Sequence, residues 1–126
     1  RSAMLRLPQS RFCIENRAAD MCMNPYLSLG MTSAAMTEGV VNSYAPGEPF
    51  NQDLYEMSEE ALKSFGAKRL PRNLLEAIEI LRSDELARKV LGESMMESYL
   101  RYKLDEWQRY HQAVTDWEVE EYLRLY

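Results

Sequence analysis

Two short extended-type runs open the chain, Ser2 to Leu7 and Phe12 to Asn16, with Pro8, Gln9 and Ser10 between them. Proline and small polar residues between such runs are hairpin punctuation, so the pattern predicts two neighbouring strands. Strand geometry then fixes which side chains travel together. Cys13, Glu15 and Arg17 fall on one face and Phe12, Ile14 and Asn16 on the other, with Glu15 and Arg17 roughly 7 Å apart along the strand. A carboxylate beside a guanidinium suits a metal-nucleotide site, because oxygen ligands hold magnesium while a planar, permanently charged fork grips phosphate or carboxylate. Arg1 and Arg6 are five apart and belong to opposite faces of a straight strand, unless the strand bends or Arg1 sits in the preceding loop. Taken alone, the pattern is first an ordinary ion pair of Glu15 with Arg17, with Arg1 and Arg6 solvated, since structural ion pairs are common.

Beyond the hairpin the sequence is a series of helix starts. Asn24 followed by Pro25 places a cap residue before a first-turn proline and predicts a helix through about Asn42. Leu27, Gly30, Met31, Ala34, Ala35, Glu38 and Val41 form a stripe whose small residues permit close packing against a sheet. Met31 and Met36 read as core filling. Pro46, Gly47, Glu48 and Pro49 form a turn. Ser58 caps a helix from Glu59 to about Gly66, and Asn73 with Glu76 starts another from Leu74 to about Arg82. Ser83 begins a short helix that Gly92 closes. The longest helix runs from Ser94 to about Val114, with Met96, Tyr99, Lys103, Trp107, Tyr110 and Val114 along one stripe. Thr115 and Glu118 make a capping box for a terminal helix from Trp117 to Tyr126. The aromatic residues on these stripes read as core or subunit-interface packing rather than base stacking.

Charge is uneven. Residues 1–50 carry four arginines balanced by Glu15, Asp20, Glu38 and Glu48, whereas residues 51–126 carry eleven basic against sixteen acidic residues. A net charge of −5 without a basic stripe argues against nucleic acid as a partner. The longest apolar stretches are interrupted by polar or charged residues, so no signal peptide and no membrane span is expected. The expectation is a soluble, cytoplasmic protein in which Cys13 and Cys22 are reduced and mostly buried thiols. His111, the only histidine, is expected at the surface. With 46% hydrophobic residues and neither repeats nor low-complexity segments, the chain has the composition of a packed globular part.

The motifs occur in an order that resembles the glutamine synthetase family. Arg1-Ser2-Ala3-Met4-Leu5-Arg6-Leu7-Pro8, Ile14-Glu15-Asn16-Arg17 and Asn24-Pro25-Tyr26-Leu27 resemble that family's N-R-S-A-x-x-R-x-P, I-E-x-R and N-P-Y-L. Pro46 to Pro49, Asp53 to Met57, Arg69 to Pro71, Leu91 to Glu93, Asp105 to Trp107 and Thr115 to Glu118 continue the succession across the whole chain. Each motif is weak singly; their ordered succession is specific. The resemblance implies an α+β fold, with antiparallel active-site strands at the N-terminus followed by a helical C-terminal shell. Residues 1–126 would then be the C-terminal portion of the catalytic domain, with the active-site hairpin in 1–23 and mainly helix in 24–126. The missing initiator methionine and the motif starting at Arg1 support a partial chain, whose isolated form is expected to be inactive.

The resemblance also implies roles. Glu15 becomes a ligand of Mg2+ (or Mn2+); Arg1 and Arg6 contact the phosphates of ATP; Arg17, with Arg1, binds glutamate; and Arg1 acts on the transferring phosphoryl group. Metal and arginines together offset charge on that group, where electrostatic positioning supplies most of the catalysis. The implied reaction ligates ammonia to the side-chain carboxylate of glutamate through an acyl phosphate, giving glutamine. A γ-glutamylamide ligase using methylamine, a polyamine or another amine is the alternative, and a non-catalytic structural homologue is a second. A homo-oligomer, a dodecamer of two hexameric rings, is implied as well. Two departures stand out: the turn between the strands is short, and Cys13 stands where many members have a basic residue. Arg11 either supplies that charge or is a solvated turn residue. Tyr55 aligns with a tyrosine that some bacterial members adenylylate, though a half-buried anchor is the simpler reading.

Overall fold

The computed structural model describes residues 3–125 and divides into two compact units, Arg1–Leu70 and Pro71–Tyr126. Among the described residues they contain a two-stranded antiparallel sheet and six helices, an α+β arrangement. In the first unit, β1 (Leu5–Arg6) pairs with β2 (Glu15–Asn16), Leu5 opposite Asn16 and Arg6 opposite Glu15. The Arg17 N–H donates to the Met4 carbonyl at 2.8 Å and extends the pairing by one bond. Both strands are shorter than the sequence suggests. An isolated two-stranded ribbon is marginal, and Leu5, Ile14 and Phe12 are exposed, so no apolar face fixes the backbone farther out.

α1 (Pro25–Val41) starts as the Asn24-Pro25 pair predicts: Asn24 Oδ1 accepts from the Tyr26 and Leu27 N–H groups at 3.0 and 3.3 Å. Its small-residue stripe does not pack closely. No α1 residue is buried, and a Cβ added at Gly30 or Gly39 would meet nothing within 4 Å. Ser58 Oγ caps α2 (Glu59–Ser64) by accepting from the Ala61 N–H at 3.2 Å. The helix closes in a Schellman motif, with Ala67 N–H to the Leu62 carbonyl and Gly66 N–H to that of Lys63, both at 3.0 Å. Gly66 supplies the positive φ of 70° that this closure requires. Tyr55 is 77% exposed, which removes the half-buried anchor reading. Cys13 and Cys22 are free and exposed, contrary to the expected buried thiols; among the described residues of this unit none covers them.

The second unit holds the helical core. Asn73 caps α3 (Leu74–Ser83), its Oδ1 accepting from Glu76 N–H at 2.9 Å, while Glu76 Oε2 reaches back to Arg72 N–H at 2.8 Å. The cap of α4 (Glu85–Leu91) is Asp84 rather than Ser83. Asp84 Oδ1 accepts from Ala87 N–H at 2.7 Å, while the Ser83 hydroxyl donates to the Ile80 carbonyl at 3.0 Å and finishes α3. Gly92, at φ 74°, closes α4 and opens α5 (Glu93–Gln112). α3 and α4 pack on α5 and bury Ile78, Ala87, Met96 and Leu100. Burial along α5 is complete at Met96 and nearly so at Leu100, partial at Lys103 and Trp107, and gone by Tyr110, so the stripe expected to run through Tyr110 and Val114 ends in solvent. α6 (Asp116–Tyr122) begins with the full capping box of Thr115 and Glu118 and stops short of the expected end. His111 is exposed, as expected, with its ring 3.6 Å from that of Trp107.

Candidate functional site

The hairpin register places Arg6 directly opposite Glu15, and this is the geometric origin of the charged cluster. Arg6 Nη1 donates to Glu15 Oε2 at 3.1 Å. Arg11, four residues before Glu15, returns across the turn so that its Nη2 donates to Oε1 at 2.5 Å. Cys13 N–H donating to the Arg11 carbonyl at 3.1 Å tightens that return. The Glu15 side chain is only 24% exposed, whereas those of Arg6 and Arg11 are mostly in solvent. The Arg11 guanidinium, and after it that of Arg6, hold the Glu15 carboxyl below the usual carboxylate range. Glu15 is therefore a fixed anion at neutral pH.

The partners of Glu15 differ from the simple ion pair suggested by strand alternation. Strand alternation would set Arg17 on the face of Glu15, but β2 ends at Asn16, Arg17 lies in the turn beyond it, and Arg6 and Arg11 take both carboxylate oxygens. Residues two apart on a strand are separated by roughly 7 Å, while a cross-strand neighbour and a returning turn come closer. Arg17 forms no ion pair among the described residues and remains exposed. Arg1, the remaining candidate, lies outside the described residues. Arg11 was the partner least legible in the sequence; its signal was the spacing of four to Glu15 across a turn.

The chemistry of this cluster is that of anion recognition around one hard oxygen ligand. Glu15 fits a divalent cation in charge and donor type, but a single carboxylate meets only part of a coordination shell. Among the described residues no group of three or more His, Cys, Asp or Glu side chains converges to hold a metal ion. A separate cavity of about 490 Å³ in the first unit is lined by Pro46, Glu48, Phe50, Leu54, Met57 and Phe65, among others. The rings of Phe50 and Phe65 meet there edge to face, 6.3 Å apart. Two of the motifs named above, Pro46 to Pro49 and Asp53 to Met57, contribute to its lining. Among the described residues no helix is long and apolar enough to cross a membrane.

Residues 1–122 match the family described as glutamine synthetase, catalytic domain. A glutamate–methylamine ligase of Methyloversatilis universalis is 42% identical over 126 residues, which are 100% of this chain and 28% of the relative. A glutamine synthetase of Methanocaldococcus jannaschii is 39% identical over 126 residues, covering 98% of this chain and 28% of the relative. A solved structure described as apo GmaS without ligand superposes with a TM-score of 0.80 at 32% identity, over 98% of this chain and 28% of that one. The chain thus spans a little over a quarter of the length of these relatives.

Proposed function

This chain belongs to the glutamine synthetase catalytic-domain family, and on that premise we propose that it is the C-terminal portion of the catalytic domain of an ATP-dependent glutamate–amine ligase, contributing the active-site hairpin in residues 1–23. The observation that carries the reading is the cluster of Arg6 and Arg11 around the ionised Glu15, at 3.1 and 2.5 Å. In the proposed reaction the side-chain carboxylate of glutamate attacks the γ-phosphorus of ATP and ADP leaves. The amine then adds to the acyl phosphate carbonyl, and inorganic phosphate departs as the amide forms. Arg6 and Arg1 orient the phosphates and offset the charge moving through the transferring group. Arg17, free of any ion pair among the described residues, offers its fork to the carboxylate of glutamate. Glu15 supplies one oxygen ligand to Mg2+ or Mn2+; the bound metal, when present, neutralises phosphate charge. The remaining ligands come from other parts of the enzyme.

Two amines fit the family. The 39% identical relative is named a glutamine synthetase, which supports ammonia and glutamine as nucleophile and product. The 42% identical relative is named for methylamine, and it favours a second reading in which an organic amine gives a γ-glutamylamide. The many apolar side chains left exposed among the described residues, including Phe12, Tyr26, Trp117 and Leu123, support burial against other parts of a longer enzyme; the homo-oligomer we propose, a cytoplasmic dodecamer of two hexameric rings, rests on the family resemblance. Glu15→Gln in the longer enzyme tests the site. The amide is nearly isosteric and removes one anionic ligand, so magnesium should bind more weakly and turnover should fall about a hundredfold with the fold intact. Wild-type turnover across a magnesium titration would overturn the assignment.

A further inference from the structure

The cavity of the first unit lies where the loop of residues 46–57 meets the end of α2. Phe50, on the loop, and Phe65, the residue that ends α2, touch edge to face at 6.3 Å and join the two segments. The contact does not use up either ring: Phe50 stays 42% and Phe65 52% exposed. Gly47 and Gly66 add no side chain to the lining, and a Cβ at either would meet nothing within 4 Å. Glu48 is the one charged side chain among the lining residues, and it forms no ion pair with any described residue. A solvated glutamate on a loop asks for no ligand. What sets Glu48 apart is that it shares a concavity with two open aromatic rings and apolar walls.

These features select among occupants. A neutral apolar ligand would strip water from the carboxylate without giving it a partner. An anion would be repelled. A cation on a carbon skeleton satisfies both parts of the lining, because its charge meets Glu48 while aromatic faces attract cations and apolar atoms alike. The volume, about 490 Å³, falls in the range of about 300 to 1,000 Å³ that small-ligand sites occupy. Ammonium or methylammonium would leave most of that space unfilled, so the skeleton must be larger. We propose that this cavity binds a free organic ammonium ion with an aromatic or branched aliphatic body, held by Glu48, Phe50 and Phe65. The occupant ties the loop to α2 and lies beside Met57, which is half-buried in the lining. No residue of the Glu15 cluster lines the cavity, so this binding is independent of the roles proposed for the hairpin.

The probe is phenethylammonium, with phenethyl alcohol as its neutral counterpart. In the longer enzyme, isotope-labelled at its methionine methyl groups, the ammonium should shift the Met57 resonance saturably; Met57→Leu identifies that resonance by its loss. The alcohol should need about tenfold higher concentration for the same shift. Glu48→Gln should erase this preference by weakening the ammonium alone. Phe65→Leu, which keeps an apolar wall without a π face, should reduce the preference about threefold. Turnover with the enzyme's own amine substrate should be unchanged in Glu48→Gln. No saturable shift at Met57, equal affinity for the two probes, or a preference that survives Glu48→Gln overturns the proposal. So does a fall in turnover that tracks the loss of probe binding, since the probe would then be reporting the site of reaction. Comparing the two probes on the unaltered enzyme needs no variant, so the decision does not depend on how any substitution folds.

Discussion

Between Pro71 and Tyr126, three helices meet around Ile78, Ala87, Met96 and Leu100; between Arg1 and Leu70, Leu62 alone among the described residues is buried. The second unit is held by removing apolar side chains from water, the first by caps, turns and charge-assisted hydrogen bonds at the surface. Each exposed contact contributes little to stability, because water competes for both partners. The same exposure leaves guanidiniums and a carboxylate free to exchange one another for ligands. The region proposed to do chemistry is therefore the one whose local order rests least on burial.

The largest expected effect breaks the helical side of this contrast. Met96 is fully buried at the contact of α5 with α3 and α4. Met96→Ala removes those contacts and leaves a cavity, for a loss of about 2 to 5 kcal/mol in denaturant unfolding. Its neighbour Met95 is 45% exposed, and Met95→Ala should cost less than about 1 kcal/mol. Similar losses at both positions would mean that the helical unit is no better packed than the hairpin.

The next effect falls on the hairpin and should leave stability alone. Arg17→Lys keeps the charge and removes the bidentate fork, so in the longer enzyme the Michaelis constant for glutamate should rise about ten- to a hundredfold while that for ATP changes little. Arg17 forms no ion pair among the described residues, so no internal pair is lost and the unfolding midpoint should stay within experimental error. An unchanged glutamate constant would withdraw Arg17 from the substrate site.

What was legible in the sequence was what adjacent residues decide. Asn24 before Pro25, Ser58, Asn73 with Glu76, and Thr115 with Glu118 all cap helices where expected, because a cap is a contract between a side chain and backbone groups two or three residues away. The hairpin was legible for the same reason, though β2 ends at Asn16 and the alternation expected to set Glu15 and Arg17 on one face stops short of Arg17. Ser83 and Asp84 are both competent caps, and the choice between them turns on which carbonyl the serine hydroxyl can reach. Tertiary partners decided the rest. Leu100 is buried and Tyr110 is not, because α3 and α4 pack on α5 around Met96 and Leu100 and burial fades beyond Trp107. Glu15 pairs with Arg6 and Arg11 instead of Arg17 because register and turn path, not strand periodicity, bring their guanidiniums closest.

The smallest effect sharpens the comparison through two carboxylates held below their ordinary range by different means. Glu15 is lowered first by the Arg11 guanidinium and then by Arg6; Glu118 is lowered first by the Thr115 backbone N–H and then by its hydroxyl. For both, a depressed folded value means that the stabilisation is fully present above the ordinary glutamate value, near 4.5, and is lost as pH falls through the lower folded value. Acid should therefore fray α6 at its start and loosen the hairpin in the same window. Salt separates them. About 1 M chloride screens the exposed Glu15–Arg11 pair and should move its titration back toward the ordinary value. The Glu118 titration should move less, because its partner is a neighbouring amide fixed by the helix start. Carboxyl resonances followed by NMR from about pH 6 to about pH 2, at low and high salt, would read both. Glu118→Gln, which keeps the capping-box geometry without a charge, should remove the acid sensitivity of α6 alone. Equal salt shifts at the two carboxylates would mean that the capping box is held by charge as much as the hairpin cluster is.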